Sequence, residues 1–457
     1  MIPATALTLL LCLVPSQVAT TAPATTSTEP PAVTEHKLIV TPAAPPDKAL
    51  KYLLLPDLLE QTPGNAALVY LQLAVTEIEP TADEAAEAWL HKPLEELRGV
   101  ELPQSLRQEY LLEELARAAR MTQCDWQRPM EQGIAIQLPD LGRYRKMARL
   151  LAAHIRLNTA NGRYEPAIHQ LKNGFALARH LGKGPTLLEP LVGFSITAML
   201  LERVEELAQQ PGAPNLYWAL TQMPDPFIDV RPSLGYERMC LYLWYPRLRQ
   251  DQRASLTDAD WSTIIQDVDA ARDFKMQWAL VSMTYYPRAK QYVASLGYTT
   301  EQVQAMSVTK VVAWYMLDQY ENQRDDLFKW VGMPYWQAKP GLDAAERELE
   351  QKMARGEGMP FIRLLPALTV AYRTQARVQQ RLACLRGVQA IRAYAAQHGQ
   401  LPPSLDALTQ WPAPLDPMTG QSFLYELKDG QAILDSPLPA ADRNQADRLP
   451  YIIELAQ

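Results

Sequence analysis

The sequence holds little of what usually carries chemistry. Four cysteines and six histidines are spread over 457 residues. No CxxC pair occurs, which excludes a structural zinc site of the usual spacing. HExxH and HxH are missing, so no ready-made metal or acid–base motif is present. GxSxG and the Walker loop are missing too, which removes the common signatures of serine hydrolases and P-loop nucleotide hydrolases. Lys and Arg form no block and the formal net charge is −7, so no nucleic-acid footprint is expected. No apolar run reaches the ~20 residues that a bilayer span needs. Nothing points to a cofactor or a metal.

What is present begins with "MIPATALTLLLCLVPSQVATTA". Residues 7–14 make a short apolar core, and small residues near Ala19 and Ala22 suit cleavage, so residues 1–22 are expected to be a secretory signal. No Lys or Arg precedes that core. Cys12 follows Leu11, where a lipobox needs a small residue, so lipidation is not expected. Export would permit a disulfide among Cys124, Cys240 and Cys384, but three buried thiols fit the sequence as well. Residues 23–48 are rich in Thr, Pro and Ala. They bury too little apolar surface to offset their ordering entropy and are expected to form a disordered tether.

From residue 49 the chain reads as helices separated by Pro and Gly. Met147, Leu151 and Ile155 share one face, and Tyr164, Ile168, Leu171, Phe175, Ala178 and Leu181 another, at helical spacing. Asn161-Gly162 turns between them, so an antiparallel helix pair is expected. Thr186 and Glu189 stand three apart, as in a capping box, ahead of a helix that is apolar nearly all round. One long helix is expected over 300–331. Another is expected over 365–397, with a stripe of Val378, Leu382, Leu385, Val388, Ile391 and Ala395. A β-hairpin should close the chain, over 423–427 and 432–435, turning at Asp429-Gly430. Its Phe423, Tyr425, Leu427, Ile433 and Leu434 can cover that stripe. The fold class expected is mainly α: a helical-hairpin array over 49–360, then the long helix and hairpin over 361–457.

Three resemblances add to this. Gly162, Tyr164, Ala167 and Leu171 stand where a tetratricopeptide repeat places its turn glycine, aromatic, small and large apolar residues. The pair resembles one such repeat, which implies a TPR-like array with a concave surface for partners. The stretch "IRAYAAQHGQLP", then "SLDAL", then "PLDPMTG" and "FLYEL", resembles the globular end of G-type pseudopilins of type II secretion. That family's lipid-embedded helix has an internal counterpart here, carrying Arg363, Arg373, Arg377 and Arg381, and its calcium ligands have no residue-by-residue match. The signal, the tether, "ALKYLLLPD", "GPTLLEPLVG", "PGAPNLYWAL" and "LDPMTG" together are similar to a group of large exported proteins of planctomycete bacteria. This implies an exported protein and no particular activity.

His154, His169 and His180 are scattered over one helix pair, as packed or surface histidines are. "GKGPT", from Gly182, is better explained as a helix stop and restart than as a phosphate loop. Glu189 lies among apolar residues, which could raise its pKa for catalysis, yet its capping position explains it. Asp416 and Thr419 could hold a cation, but D-P-x-T-G is more often a turn. Trp314, Tyr315, Trp330, Tyr335 and Trp336 cluster. Of these Tyr335 and Trp336, expected in a Pro-containing loop, are the candidate binding residues. No catalytic or metal residue is assigned. The leading expectation is an exported, non-enzymatic scaffold that holds a protein or peptide partner. The alternatives are a secreted hydrolase using carboxylates in a helical cleft, and a structural component of a secretion or surface assembly.

Overall fold

A computed structural model describes residues 35–75, 80–249, 252–268, 274–438 and 447–456. The expected signal and residues 23–34 of the expected tether lie outside the described residues. The chain is mainly α with a small terminal sheet, as its periodicity implies.

The first helical group holds α1 (Ala66–Val75), α2 (Pro80–His91), α3 (Glu109–Ala119), α4 (Leu141–Ala160), α5 (Tyr164–Leu181) and α6 (Leu188–Ala208). The expected antiparallel pair is α4 and α5, which pack on each other and together on α6. The stripe residues Met147, Leu151, Ile155, Leu171, Phe175 and Leu181 are all buried. Burial follows from spacing: side chains three and four apart share one side of a helix and leave water together. Two short strands, β2 (Thr62–Asn65) and β3 (Met121–Gln123), pair in parallel beside this group and have no counterpart in the expected elements.

After the short α7 (Tyr217–Thr221) comes a second group: α8 (Arg231–Trp244), α9 (Asp258–Val268), α10 (Phe274–Ser295), α11 (Thr300–Ala305), α12 (Val308–Phe328) and α13 (Tyr335–Arg355). The single helix expected over 300–331 is broken. Met306 adopts an extended conformation, and Ser307 starts a new helix by accepting from the Lys310 N–H at 3.1 Å. Pro334 precedes α13, so Tyr335 and Trp336 occupy its first turn and not the expected loop.

The long helix α14 (Pro366–His398) spans about 50 Å. It packs on α6, α7 and α13, and its expected stripe is buried throughout. The expected hairpin is present as β4 (Leu424–Lys428) and β5 (Gln431–Asp435). Its turn is Asp429-Gly430, with φ of 51° and 81°, the left-handed pair that such a two-residue turn requires. The hairpin is half of a four-stranded sheet ordered β1-β6-β5-β4, in which β1 (His36–Val40) runs parallel to β6 (Tyr451–Leu455). The expected disordered tether is thus corrected in its last part: residues 36–40 are a strand. Leu38, Val40, Ala432, Leu434, Tyr451 and Ile453 form the buried face at a period of two. Phe423 is buried as expected, whereas Leu427 is exposed.

The sheet, α6 and α14 meet over buried charge. The Glu205 carboxylate, on α6, accepts from Arg381 Nε at 3.0 Å and from the Tyr451 hydroxyl at 2.6 Å. Burial works to raise its pKa, but Arg381 and His36 overcome this and hold it at about 2. Arg392, fully buried on α14, donates to the carbonyls of Thr41 and Ala213 at 2.8 and 2.9 Å. Among the described residues, no helix is long and apolar enough to cross a membrane. Cys124, Cys240 and Cys384 are free thiols.

Candidate functional site

A cleft of about 730 Å³ lies where the second helical group meets the terminal module. That volume falls within the roughly 300–1,000 Å³ of ordinary ligand sites. Four pieces of chain enclose it. The first turn of α13 and residues 331–334 before it form one wall. Residues 223–226 and Arg231, at the start of α8, form the facing wall. One face of α14 is the floor: Tyr372, Gln375, Ala376, Gln379, Leu382, Ala383 and Arg386 recur every three or four residues. The turn "LDPMTG" closes one side through Leu415, Asp416 and Gly420.

That turn and α13 are fitted to each other. Gly420 has φ of 69°, and a Cβ there would stand 2.6 Å from the Trp336 ring, so only glycine allows the indole to lie flat on the turn. Of the two aromatics expected to bind, Tyr335 is buried, packed edge-on against Tyr372 with ring centroids 5.6 Å apart. Trp336 is 43% exposed. Met333 and Leu415 are exposed beside it on the rim. Exposed apolar side chains gathered around a concavity mark a contact surface more often than singly scattered ones do. Trp314 and Tyr315 belong to the core.

The polar groups of the cleft are unevenly satisfied. Asp225 accepts from Gln379 Nε2, and Arg231 forks onto Asp229 at 2.7–3.0 Å. Asp416 is fully buried. Its Oδ1 accepts from the Met418 N–H at 2.8 Å, and Ser436 and Gln380 donate to the same carboxylate. The motif is therefore the turn that its sequence suggests, and the Thr419 hydroxyl accepts from the Gln421 N–H within it at 3.3 Å. Gln375 Oε1 accepts from the Val230 N–H at 2.9 Å, and its Nε2 has no acceptor among the described residues. Arg386 lies 6.0 Å over the Tyr217 ring and has no carboxylate partner among the described residues. Its Nε is buried without an acceptor.

The other candidates are spent on structure. Arg128 bridges two carboxylates, donating to Glu189 at 2.8 Å and to Asp140 at 3.2 and 2.7 Å. Glu189 also accepts from the Thr186 N–H at 3.1 Å, one half of a capping box; the Thr186 hydroxyl turns to the same carboxylate. Burial pushes Glu189 up against the pull of Arg128, and the group is closed off from the cleft. His180 is buried with Nδ1 3.1 Å from the Tyr70 hydroxyl, and burial pushes its pKa down to about 3. His154 Nε2 meets the Leu106 carbonyl at 2.9 Å. Among the described residues, no group of three His, Cys, Asp or Glu is placed to hold a metal. Neither Arg386 nor Gln375 stands out in the sequence, where each looks like one more polar residue of a long helix.

Comparison with protein families, with curated proteins and with solved structures returns no match.

Proposed function

We propose that the protein is an exported helical scaffold that binds a peptide or protein partner, and that the cleft below Trp336 receives it. The observation that carries this reading is the cluster of exposed Trp336, Met333 and Leu415 on the rim of a polar-floored cleft. Aromatic anchors beside a concavity supply contact area at low entropic cost. The two carboxylates of the cleft, Asp225 and Asp416, are both engaged by donors, which favours holding a ligand over hydrolysing one. The long helix has its apolar stripe covered, so it offers little for filament assembly. The likeness of the α4–α5 pair to a tetratricopeptide repeat agrees with a partner-binding role, and the signal pattern at residues 1–22 agrees with export.

The test is capture of partners from cell-envelope extract by the purified protein and by Trp336→Ala. A partner retained by the first and lost by the second supports the reading. A protein that retains nothing, yet degrades a panel of polysaccharides or peptides, overturns it in favour of the hydrolase.

A further inference from the structure

We infer that the cleft takes an extended peptide segment whose carboxylate docks on Arg386 while an apolar side chain of the same segment covers Trp336. This rests on the binding reading above and names its ligand chemistry. The argument starts from α14. Arg373 pairs with Glu346, Arg377 with Asp447 and Arg381 with Glu205, and Arg392 donates to backbone carbonyls. Arg386 alone among these five faces a cleft and lacks an acceptor among the described residues. A half-buried guanidinium without an acceptor loses water and gains nothing in return. A ligand carboxylate would supply two parallel hydrogen bonds, the geometry for which a guanidinium is built.

A second donor fixes the ligand's length. With Oε1 of Gln375 held by the Val230 N–H, its Nε2 is a pre-oriented donor in the same cleft. Gln375 and Arg386 are three helical turns apart, about 16 Å along α14. An extended chain covers that distance in about five residues. A peptide of about six residues thus reaches from a carboxylate on Arg386 to a backbone carbonyl on Gln375, passing Trp336. The floor is too long for a small acid to meet both donors, which is why a peptide is assigned.

The experiment uses fluorescently labelled hexapeptides built from Leu, Trp, Pro and Ala, read by polarisation on the full chain. One arm has a free C-terminal carboxylate. A second is C-terminally amidated with one Asp or Glu placed at each position in turn. A third is amidated and neutral. Carboxylate-bearing peptides are expected to bind about ten- to a hundredfold more tightly than neutral ones. Preference for the first arm assigns a chain end, and preference for the second an acidic segment. Arg386→Gln should erase the preference and Arg386→Lys should keep part of it. Gln375→Glu, which retains the acceptor for Val230, should weaken all arms, and tripeptides should bind worse than hexapeptides. Among the described residues Arg386 makes no hydrogen bond or ion pair, and an unchanged thermal midpoint of Arg386→Gln checks that folding does not depend on it. On the unaltered protein the preference should also shrink with added salt. Equal binding of neutral and carboxylate peptides, or a preference that survives in Arg386→Gln, overturns the inference and leaves peptide binding standing. Binding of no peptide in any arm overturns both.

Discussion

Arg381 and Arg386 sit five residues apart on α14 under opposite conditions. Arg381 looks toward α6 and the sheet, where it converges with Tyr451 and His36 on the buried carboxylate of Glu205. Arg386 looks into the cleft and meets an aromatic ring but, among the described residues, no acid. The residue type and the helix are the same. The difference lies in what the rest of the chain brings to each face. A paired buried charge is weak evidence for stability, yet removing one partner is strongly destabilising, because the other is left uncompensated. An unpaired cation at an open cleft can be removed at small cost and is free to serve a ligand.

The contrast can be broken at its strong end first. Glu205→Ala takes from Arg381 its close carboxylate, leaving among the described residues only Glu202 at 3.8 Å, and should cost about 3–5 kcal/mol in urea unfolding. The pH dependence follows from the same group. Its folded pKa, about 2, lies below the ordinary value of 4.5. Its contribution is therefore complete above pH 4.5 and is lost as pH falls toward 2. In Glu205→Gln that acid-side loss should be flattened, and an unchanged acid titration would show that the buried pair carries no such linkage. Next in size is Arg392→Met, which orphans the carbonyls of Thr41 and Ala213 and should cost about 2–3 kcal/mol.

Gly420→Ala should cost less, about 1–2 kcal/mol from its left-handed backbone, but it also displaces the indole of Trp336. Gly430→Ala is its control: φ is 81° there, yet nothing stands within 4 Å of the added methyl. If both lower stability alike but only the first changes quenching of Trp336 by acrylamide, the turn is a seat for the indole. The smallest effect is expected for Arg386→Gln, within about 0.5 kcal/mol. A loss comparable to that of Glu205→Ala would erase the contrast between the two faces.

The helical part was legible because burial repeats within a few residues. The stripe from Val378 to Ala395 can be seen without coordinates, as can the stop at Gly399. Asp429-Gly430 announces its hairpin in the same local way. Strands β1 and β6 carry no such announcement. A parallel partner at the far end of the chain leaves no trace in "HKLIV", whose three apolar residues make too short a run to stand out beside Thr/Pro-rich sequence. The break at Met306-Ser307 was hidden by a continuing apolar period, and α13 by Pro334 and by Pro340 within it. Trp336 could be suspected from its Pro-rich setting. Arg386 could not, since its distinction is a missing partner, and absence of a contact is a property of three dimensions alone.

The parallel register of β1 with β6 bears on how the molecule meets force. His36 pairs with Tyr451 and Val40 with Leu455, so the two strands point the same way. Tension applied at residues 35 and 456 would pull them past each other lengthwise. The five pairs would then share the load and yield together, where an antiparallel hairpin pulled from its open end would peel apart one rung at a time. In an optical trap this ladder should act as a clamp, releasing the helical body only after it shears.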